Sequence, residues 1–538
     1  MARTPTSDPG IADAPAWPLA RPTYASLEAA VQGEASRWNV PGMSVAVLHD
    51  GKVESVGTGI TSIATRQPVT PATIFQIGSI SKVFTATVAM QLVDEGKLDL
   101  DEPIITYVPE LPLADPSTRT GITLRHVFSH SGGFEGDTFT DFGRGDEANA
   151  TAVAEFGSLK QWFALGELFS YNNNGYTLAG LVIERVTGQP FEQVVEERLF
   201  KPLQLDSTVY FAENAITYPH AVGHYLRKRE EGPAIARPYS FPRHINAPGG
   251  IIATAGDLIR FAQMHIAGGE LDGARIISQE SAELMQTPYI NSWDQNCSFG
   301  QGWYITEYPD LKIVQHGGST MGFRAMLRFA PDRGFAIALL ANGDSGTSAY
   351  DSIHEWALQH YLGFTMPKPA AITLPDAELD RLAGLYGRQN IRMDVTREGE
   401  RLRLRSFEID SETGEEKEDG PFSVGAPLSL EAIESTRTHD FQVVGGPMDG
   451  AIIDFPPSPT KNDPDRILIR VGGRMSERLG TKPEPDRARS KASVGARASK
   501  SRKESGGSLS TDVPEDAIGD DDEAKSSKST RKSKSKNT

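Results

Sequence analysis

The sequence is almost free of cysteine, since Cys297 is the single one among 538 residues. One thiol excludes an intramolecular disulfide and any cysteine-rich metal framework. No run of about 18 apolar residues occurs, so a membrane-spanning helix is not expected. The first twenty residues contain Pro, Asp and Gly where a secretory signal requires a continuous apolar stretch. These absences predict a cytoplasmic protein without a membrane span.

Positive charge is also scarce, because 54 Lys and Arg residues face 71 Asp and Glu residues, for a formal net charge of −17. Residues 481–538 carry 14 basic and 10 acidic side chains, a net charge of +4, so the preceding residues carry −21. A surface this acidic repels a phosphate backbone, which argues against nucleic acid as a partner.

The chain has ample material for a folded core, since 38% of its residues are hydrophobic. Residues 481–538 differ, because they contain no aromatic residue and consist mainly of Ser and charged side chains, a composition that predicts disorder. Shifts in composition predict a flexible N-terminal segment (1–23), a mixed α/β domain (24–365), a Pro-containing linker (366–376), a small mainly-β domain (377–480) and a disordered charged tail (481–538).

Periodicity and turn residues predict the elements of the large domain. We expect helices at 27–38, 79–95 and 350–361, and hairpins that turn at Asp50-Gly51 and at 331–334. A hairpin near each end of the domain predicts an antiparallel sheet flanked by helices, which is an α+β fold. In the small domain, a short helix at 377–386 precedes alternating segments that predict an all-β barrel or sandwich.

The first candidate for chemistry is Ser79 with Lys82, at the start of the longest predicted helix. Residues three apart share one helical face, so the amine can reach the hydroxyl. Serine is a weak nucleophile until a base removes its proton, and lysine can act as that base when its pKa is lowered. The same spacing occurs in the tail at 529–532 and 533–536, so spacing alone does not indicate a catalytic site. Only the motif at Ser79 lies between a predicted strand and an apolar helix. The alternative is a capped helix with an exposed lysine.

Two further segments place polar groups at turns. Tyr171 and Asn173 precede an apolar helical stretch, where a helix-capping turn with a packed tyrosine is the alternative. The segment His316-Gly317-Gly318-Ser319 closes a predicted strand, and its glycine pair would let a ligand approach the backbone closely. An ordinary loop with a surface histidine is the alternative there.

Together and in this order, the three segments resemble the serine β-lactamase and penicillin-binding-protein-like superfamily. Within it they are most similar to the group of class C β-lactamases, D-amino-acid peptidases and related esterases (peptidase family S12-like). The resemblance spans residues 24 to 362 and includes the segments FKPLQLDST (200–208), APGGIIATAGDLIRFA (247–262) and FGQGW (299–303). It implies a β-lactamase/transpeptidase-like fold for the large domain.

The resemblance also implies a serine hydrolase that forms an acyl-enzyme and needs no metal or cofactor. Ser79 would be the nucleophile, Lys82 its activating base, and Tyr171 the group that protonates the leaving group. Asn173 would orient the substrate and Lys82. The oxyanion hole would be the backbone N–H groups of Ser79 and Ser319. The implied partner is a small-molecule ester, amide or peptide substrate.

The chain departs from the superfamily at His316, where β-lactamases and carboxypeptidases usually have a lysine. Histidine has an ordinary pKa of about 6.5 and is mostly neutral at pH 7. It therefore weakens the case for a substrate with a free carboxylate beside the scissile bond, which favours an esterase or a D-amino-acid peptidase. A true β-lactamase or D-Ala-D-Ala carboxypeptidase, and a non-catalytic binding or scaffold homologue, stay as alternatives.

Other candidate sites are weaker. His126 with His130, and His220 with His224, have the four-residue spacing of helical metal ligands, but neither pair has the glutamate of an H-E-x-x-H site. No metal site is expected, and Cys297 is expected to be an incidental thiol. The small domain shows no identifiable chemistry.

Overall fold

The computed structural model describes residues 23–225, 233–292, 296–389, 391–410, 415–417, 427–435, 439–445, 448–458 and 466–480. The predicted N-terminal segment up to residue 22 and the predicted tail at 481–538 lie outside the described residues. No helix in the described ranges is long and apolar enough to cross a membrane.

The elements are numbered in chain order. The α-helices are α1 (Leu27–Arg37), α2 (Ser81–Asp94), α3 (Pro116–Gly121), α4 (Leu124–Phe128), α5 (Ala148–Ala154), α6 (Asn173–Thr187), α7 (Phe191–Val195), α8 (Ala212–Ala215), α9 (Asn246–Gly249), α10 (Ala255–Ile266), α11 (Gln279–Met285), α12 (Gly346–Leu362) and α13 (Asp376–Leu382). Short 3₁₀ turns lie at Gly78–Ile80, Ile104–Thr106, Glu155–Ser158, Arg243–Ile245 and Pro331–Arg333, and a π-helical turn lies at Glu196–Phe200.

The strands are β1 (Gly42–His49), β2 (Lys52–Gly59), β3 (Phe75–Gln76), β4 (His224–Tyr225), β5 (Ala234–Ile235), β6 (Ile252–Ala253), β7 (Glu270–Leu271), β8 (Ala274–Arg275), β9 (Ile290–Asn291), β10 (Cys297–Phe299), β11 (Tyr304–Tyr308), β12 (Leu311–Ser319), β13 (Arg324–Ala330), β14 (Phe335–Ala341), β15 (Gly384–Arg388), β16 (Ile391–Glu398), β17 (Arg401–Ile409), β18 (Glu416–Lys417), β19 (Leu428–Ile433), β20 (His439–Val444), β21 (Ile452–Phe455), β22 (Leu468–Val471) and β23 (Arg474–Gly480).

The first part of the chain, called the body, is built on an antiparallel sheet. Among the described strands its order is β2-β1-β14-β13-β12-β11-β10-β9, so the first and last hairpins lie side by side through β1 and β14. Helices α1 and α12 pack together against one face of the sheet. Helix α10 packs on β14, β13 and β1 at the opposite face, so each face has its own hydrophobic core. Strand β14 (FAIALLA) is apolar throughout because every residue of it is buried between these layers. The predicted α+β fold is confirmed.

The predicted elements match the structure except near their ends. The helix expected at 79–95 begins with a 3₁₀ turn before α2, and α12 starts four residues before the predicted residue 350. The helix expected at 377–386 is wrong at its C-terminal end, because α13 stops at Leu382 and β15 starts at Gly384. Strand β15 pairs with both β16 and β23, so sheet pairing determines the conformation of this segment.

The second part of the chain is a closed barrel. Its described strands follow the order β16-β15-β23-β22-β21-β20-β19-β17, pairing of β16 with β17 closes the ring, and β18 extends β17 on the outside. Burial alternates along β16 and β17, as expected when successive side chains face the interior and the solvent. Leu379 and Leu382 of α13 pack into the barrel core. The predicted barrel-like domain is confirmed.

The body and the barrel belong to one compact unit. The hairpin of β22 and β23 contacts the body, with Leu468 and Met475 packed on Phe163. Arg470, buried in an ion pair with Asp454, also donates to main-chain oxygens of the body, those of Phe169 and Ser292. This docking carries barrel residues to the site described below.

Candidate active site

Ser79 and Lys82 lie at the start of the central helix of the body. Strand β3 leads into the 3₁₀ turn that carries Ser79, and α2 follows directly. Helix α2 is buried from Ser81 to Leu92, as expected for a helix that is surrounded by other elements. Lys82 Nζ lies 3.1 Å from Ser79 Oγ, so the two residues meet as their spacing predicts.

The side chain of Lys82 is enclosed by protein and has no exposed surface. Its Nζ lies 2.6 Å from Asn173 Oδ1 and 2.7 Å from Pro248 O, in addition to its contact with Ser79 Oγ. A neutral amine has two hydrogens and one lone pair, and the two carbonyl oxygens accept both hydrogens. As an ammonium, Lys82 would donate to all three oxygens; as a neutral amine, it keeps its lone pair for Ser79 Oγ and can accept the serine proton.

The electrostatic surroundings favour that neutral amine. Burial lowers the pKa of Lys82 well below its ordinary value of 10.5, Arg474 lowers it further, and Asp137 opposes them. Burial penalises the ammonium because a charged group loses its hydration in the protein interior. Lys82 is therefore biased toward the form that can accept a proton from serine.

Tyr171 and Asn173 are placed by the beginning of α6. The helix is capped by Asn172, whose side chain accepts from Gly175 N, so the capping role that the sequence allowed belongs to the residue between them. Lys82 Nζ lies 4.8 Å from the centre of the Tyr171 ring. Burial raises the pKa of Tyr171 above its ordinary value of 10, although the Ser79 hydroxyl and then Arg474 act against it. The phenol therefore keeps its proton and can donate it.

His316 is a buried and neutral residue of β12. Burial and then the neighbouring Lys82 lower the pKa of His316 to about 3, while the bond of its ring to Gly317 O opposes them. Its ring lies among aromatic rings, with centroids 5.4 to 6.2 Å away for Tyr304 and Tyr171. Burial therefore favours the uncharged form of this histidine at neutral pH.

The glycine pair lets β12 approach the turn that carries the serine. A Cβ atom on Gly318 would lie 1.8 Å from Ile77 O and 3.1 Å from Ser79 N, and one on Gly78 would lie 2.8 Å from Ser319 N. The main chains around Ser79 and Ser319 therefore approach each other closely, and the missing Cβ atoms of Gly78 and Gly318 permit this approach. Two backbone amides brought together in this way suit a developing oxyanion.

Sequence reasoning missed two charged residues of the site. Asp137 Oδ1 accepts from Asn173 Nδ2 at 2.5 Å, and Arg474 forms a two-point ion pair with Asp137. Arg474 follows Gly472-Gly473, a pair with φ values of 58° and 77° that forms the tight hairpin turn between β22 and β23. That turn could be recognised in the sequence, but no local pattern shows which surface the hairpin meets.

A cavity of about 430 Å³ adjoins the site. Gln76, three residues before Ser79, lines it, and so do Gly249 and Gly250, which follow the carbonyl bound by Lys82. Its walls include the aromatic side chains of Phe139, Phe211, Tyr239 and Phe241. The lining also includes the charged Asp141, Arg144 and Arg243, so the cavity is mixed in polarity.

The weaker candidates have local roles. Thr123 caps α4, and the His126 side chain completes this capping box by accepting from Thr123 N. His130 Nδ1 accepts from Asn172 N at 3.0 Å. The other pair bonds to main-chain atoms: His220 to Tyr218 O, and His224 to Ile63 N and Asn342 O. Across the part of the chain that the structure describes, no group of three or more His, Cys, Asp or Glu residues could hold a metal ion. Cys297 is buried.

The body is similar to a known enzyme family. A family profile described as Beta-lactamase matches residues 27–361. The chain is 33% identical over 359 residues to Penicillin-binding protein 4 of Amycolatopsis lactamdurans, a match that covers 65% of this chain and 94% of that protein.

Two solved structures are similar over a longer part of the chain. The structure of SurE with D-Leu is 25% identical with a TM-score of 0.63, and covers 84% of this chain and 98% of that chain. The octameric penicillin-binding protein homologue from Pyrococcus abyssi is 24% identical with a TM-score of 0.57, and covers 84% of this chain and 99% of that chain. Both matches exceed the profile match in extent, so part of the barrel is shared as well.

Proposed function

The chain belongs to the beta-lactamase family and is a serine hydrolase, and from that premise we propose that it cleaves an ester or amide bond through an acyl intermediate on Ser79. The observation that carries the proposal is the arrangement around Lys82. Its two carbonyl partners occupy the amine hydrogens, and its lone pair is left for the hydroxyl of Ser79.

In the acylation step, Ser79 Oγ attacks the substrate carbonyl carbon while its proton passes to Lys82 Nζ. The carbonyl oxygen becomes an oxyanion between the backbone amides of Ser79 and Ser319, and removal of one such donor typically costs about 10²–10³ in rate. The intermediate then collapses, and the bond from the carbonyl carbon to the leaving group breaks. Tyr171 protonates the leaving group and recovers its proton from Lys82.

Deacylation repeats the same transfers with water. A water molecule attacks the acyl carbon, and its proton passes to the base formed by Lys82 and Tyr171. The bond between the acyl carbon and Ser79 Oγ breaks, and Oγ takes the proton back. The product acid leaves, and the lysine is again neutral.

For the substrate we favour an ester or a peptide with an N-terminal D-residue. The neutral His316 offers no fixed cation to a carboxylate beside the scissile bond. The similar protein SurE has been solved with D-Leu, which supports a D-amino-acid substrate class for this chain. The adjoining cavity has both aromatic and charged walls, and we expect its aromatic part to receive an apolar portion of the substrate.

A β-lactam is the second candidate substrate, because the similar protein from Amycolatopsis lactamdurans is named a penicillin-binding protein. The test is intact-protein mass spectrometry after brief exposure to p-nitrophenyl acetate and, separately, to benzylpenicillin. Wild type is compared with Ser79→Ala and with Ser529→Ala, a control at the serine of the same spacing in the tail.

We expect an acyl adduct from p-nitrophenyl acetate in wild type and in Ser529→Ala, and none in Ser79→Ala. Turnover by Ser79→Ala should fall by at least about 10³-fold, as when a nucleophile is removed from other serine hydrolases. A lasting adduct or turnover with benzylpenicillin alone would move the substrate class to β-lactams. An adduct that persists in Ser79→Ala would contradict the assignment of the nucleophile.

A further inference from the structure

The barrel inserts the tip of its β22–β23 hairpin into the active site of the body. Gly473 O accepts a hydrogen bond from Tyr171 N at 2.9 Å, which joins the hairpin to the segment carrying the phenol. The next residue, Arg474, places its guanidinium carbon 4.8 Å from the centre of the Tyr171 ring. A residue 337 positions after Asp137 thereby reaches the side chains around Lys82.

Four side chains form an uninterrupted series of hydrogen bonds that ends at the lysine. Arg474 Nε lies 2.6 Å from Asp137 Oδ2, and its Nη2 lies 3.1 Å from Oδ1. Asp137 Oδ1 accepts from Asn173 Nδ2 at 2.5 Å, and Asn173 Oδ1 accepts from Lys82 Nζ at 2.6 Å. The barrel supports Asp137 a second time, because Gln389 Nε2 donates to its main-chain oxygen at 2.9 Å.

The carboxylate determines which way the amide points. A carboxylate only accepts hydrogen bonds, so Asp137 requires the NH₂ end of Asn173. The oxygen end must then face Lys82, where it takes one of the two amine hydrogens. With the amide reversed, the NH₂ group would oppose the lysine hydrogens, and the lone pair of the amine would no longer be aimed at Ser79.

Asp137 and Arg474 also act on Lys82 with opposite signs: Asp137 favours the ammonium, and Arg474 favours the neutral amine. The charged and titratable groups around this network are Asp137, Arg474, Arg388, His130, His316, Tyr171 and Tyr176. The two histidines are held neutral by burial, and the two phenols are held protonated by burial. Arg474 compensates Asp137 through two hydrogen bonds and its charge, and the charge of Arg388 contributes less.

We propose that Arg474 is a positioning residue for the catalytic lysine, through which the barrel keeps Asp137 paired, the Asn173 amide oriented and Lys82 directed at Ser79. The inference rests on the proposed acyl-Ser79 function and assigns the barrel a part in it. Loss of Arg474 removes the cation that is hydrogen-bonded to the partly buried carboxylate of Asp137, and only the weaker influence of the Arg388 charge remains. That carboxylate then stabilises the ammonium of Lys82, and serine loses its base at neutral pH.

The test is the pH dependence of kcat/KM for p-nitrophenyl acetate between pH 5 and 9. This ester carries no charge, so a lost contact between an arginine and an anionic substrate cannot affect the rate. In Arg474→Met we expect the midpoint of the acidic limb to rise by about one pH unit or more, with about tenfold lower kcat/KM below both midpoints. Activity should recover toward the wild-type value as the pH rises.

Two further variants separate charge from structure. In Arg474→Met/Asp137→Asn both opposite charges are absent, and the midpoint should return to within about half a unit of wild type. Arg466→Met is the matched control, because Arg466 is also a barrel arginine that donates to the body, at Trp162 O, without touching the network. Its midpoint should equal that of wild type.

An unchanged midpoint in Arg474→Met would overturn the proposal, and so would an equal loss at every pH that the double variant does not correct. Should Arg474→Met fail to fold, Arg474→Lys keeps the charge and loses the two-point geometry. It should keep the midpoint and lose rate at every pH, and a wild-type rate would overturn the proposal. Absence of a Ser79 adduct in wild type would instead refute the proposed function itself.

Discussion

A single methyl group on Gly318 should disable the active site. The added Cβ would lie 1.8 Å from Ile77 O, whereas an ordinary contact begins at about 3.4 Å, so strand and turn must separate by about 1.6 Å. That movement takes the amide of Ser319 away from Ser79. Misplacement by 1 Å typically costs about 10²-fold and a lost oxyanion donor about 10²–10³-fold. We expect Gly318→Ala to lower kcat/KM for p-nitrophenyl acetate by about 10²–10³-fold.

Gly317→Ala is the matched control. A Cβ there would meet the terminal methyl of Met326 at 3.0 Å, and that flexible side chain can move aside. Its kcat/KM should stay within about threefold of wild type. Gly318→Ala should also lose about 1–3 kcal/mol of stability from overpacking, measured by urea unfolding, yet remain folded at 25 °C. Wild-type activity in a folded Gly318→Ala protein would refute the close approach of β12 to the serine.

Two other predictions concern the lysine and the docked barrel. Lys82→Met removes the proposed base without adding charge. Acylation should then fall by about 10²–10⁴-fold, and the acidic limb between pH 5 and 9 should disappear; a retained limb would assign it to another group. Arg470→Met leaves the buried Asp454 without its cation and should cost about 3–5 kcal/mol in urea unfolding, while Arg470→Met/Asp454→Asn should recover part of the loss. Burial raises the pKa of Asp454 to about 6 despite Arg470, whereas the unfolded value is about 3.9. The contribution of Asp454 to wild-type stability should therefore weaken as the pH rises from 4 to 6. A contribution that strengthens over this window would contradict the assignment.

The pH behaviour of the active site follows from the direction of the lysine shift. The folded-state pKa of Lys82 lies well below 10.5, so the neutral base is present well before the pH at which an exposed lysine loses its proton. Activity should therefore rise with pH through the Lys82 pKa and fall where Tyr171 deprotonates, above 10. His316 stays neutral across this window and contributes no limb.

Much of the fold could be predicted because its signals are local. Turn residues at Asp50-Gly51 and at 331–334 marked both hairpins, and alternation marked the strands of the barrel. The end of α13 could not be predicted in this way. The sequence from Gly384 to Tyr386 has no strong strand signal, and it is extended because β16 and β23 pair with it from distant parts of the chain.

The amino-acid sequence by itself determined which groups could meet along one segment. Ser79 and Lys82 meet because residues three apart share a helical face, and Gly318 permits a close approach because it lacks a Cβ atom. Only the tertiary structure decided that the pKa of Lys82 is lowered, that the Asn173 amide faces it and that Arg474 comes from the barrel. Burial and long-range contacts cause these three features, and neither can be read from local sequence, since Arg474 and Asp137 are 337 positions apart.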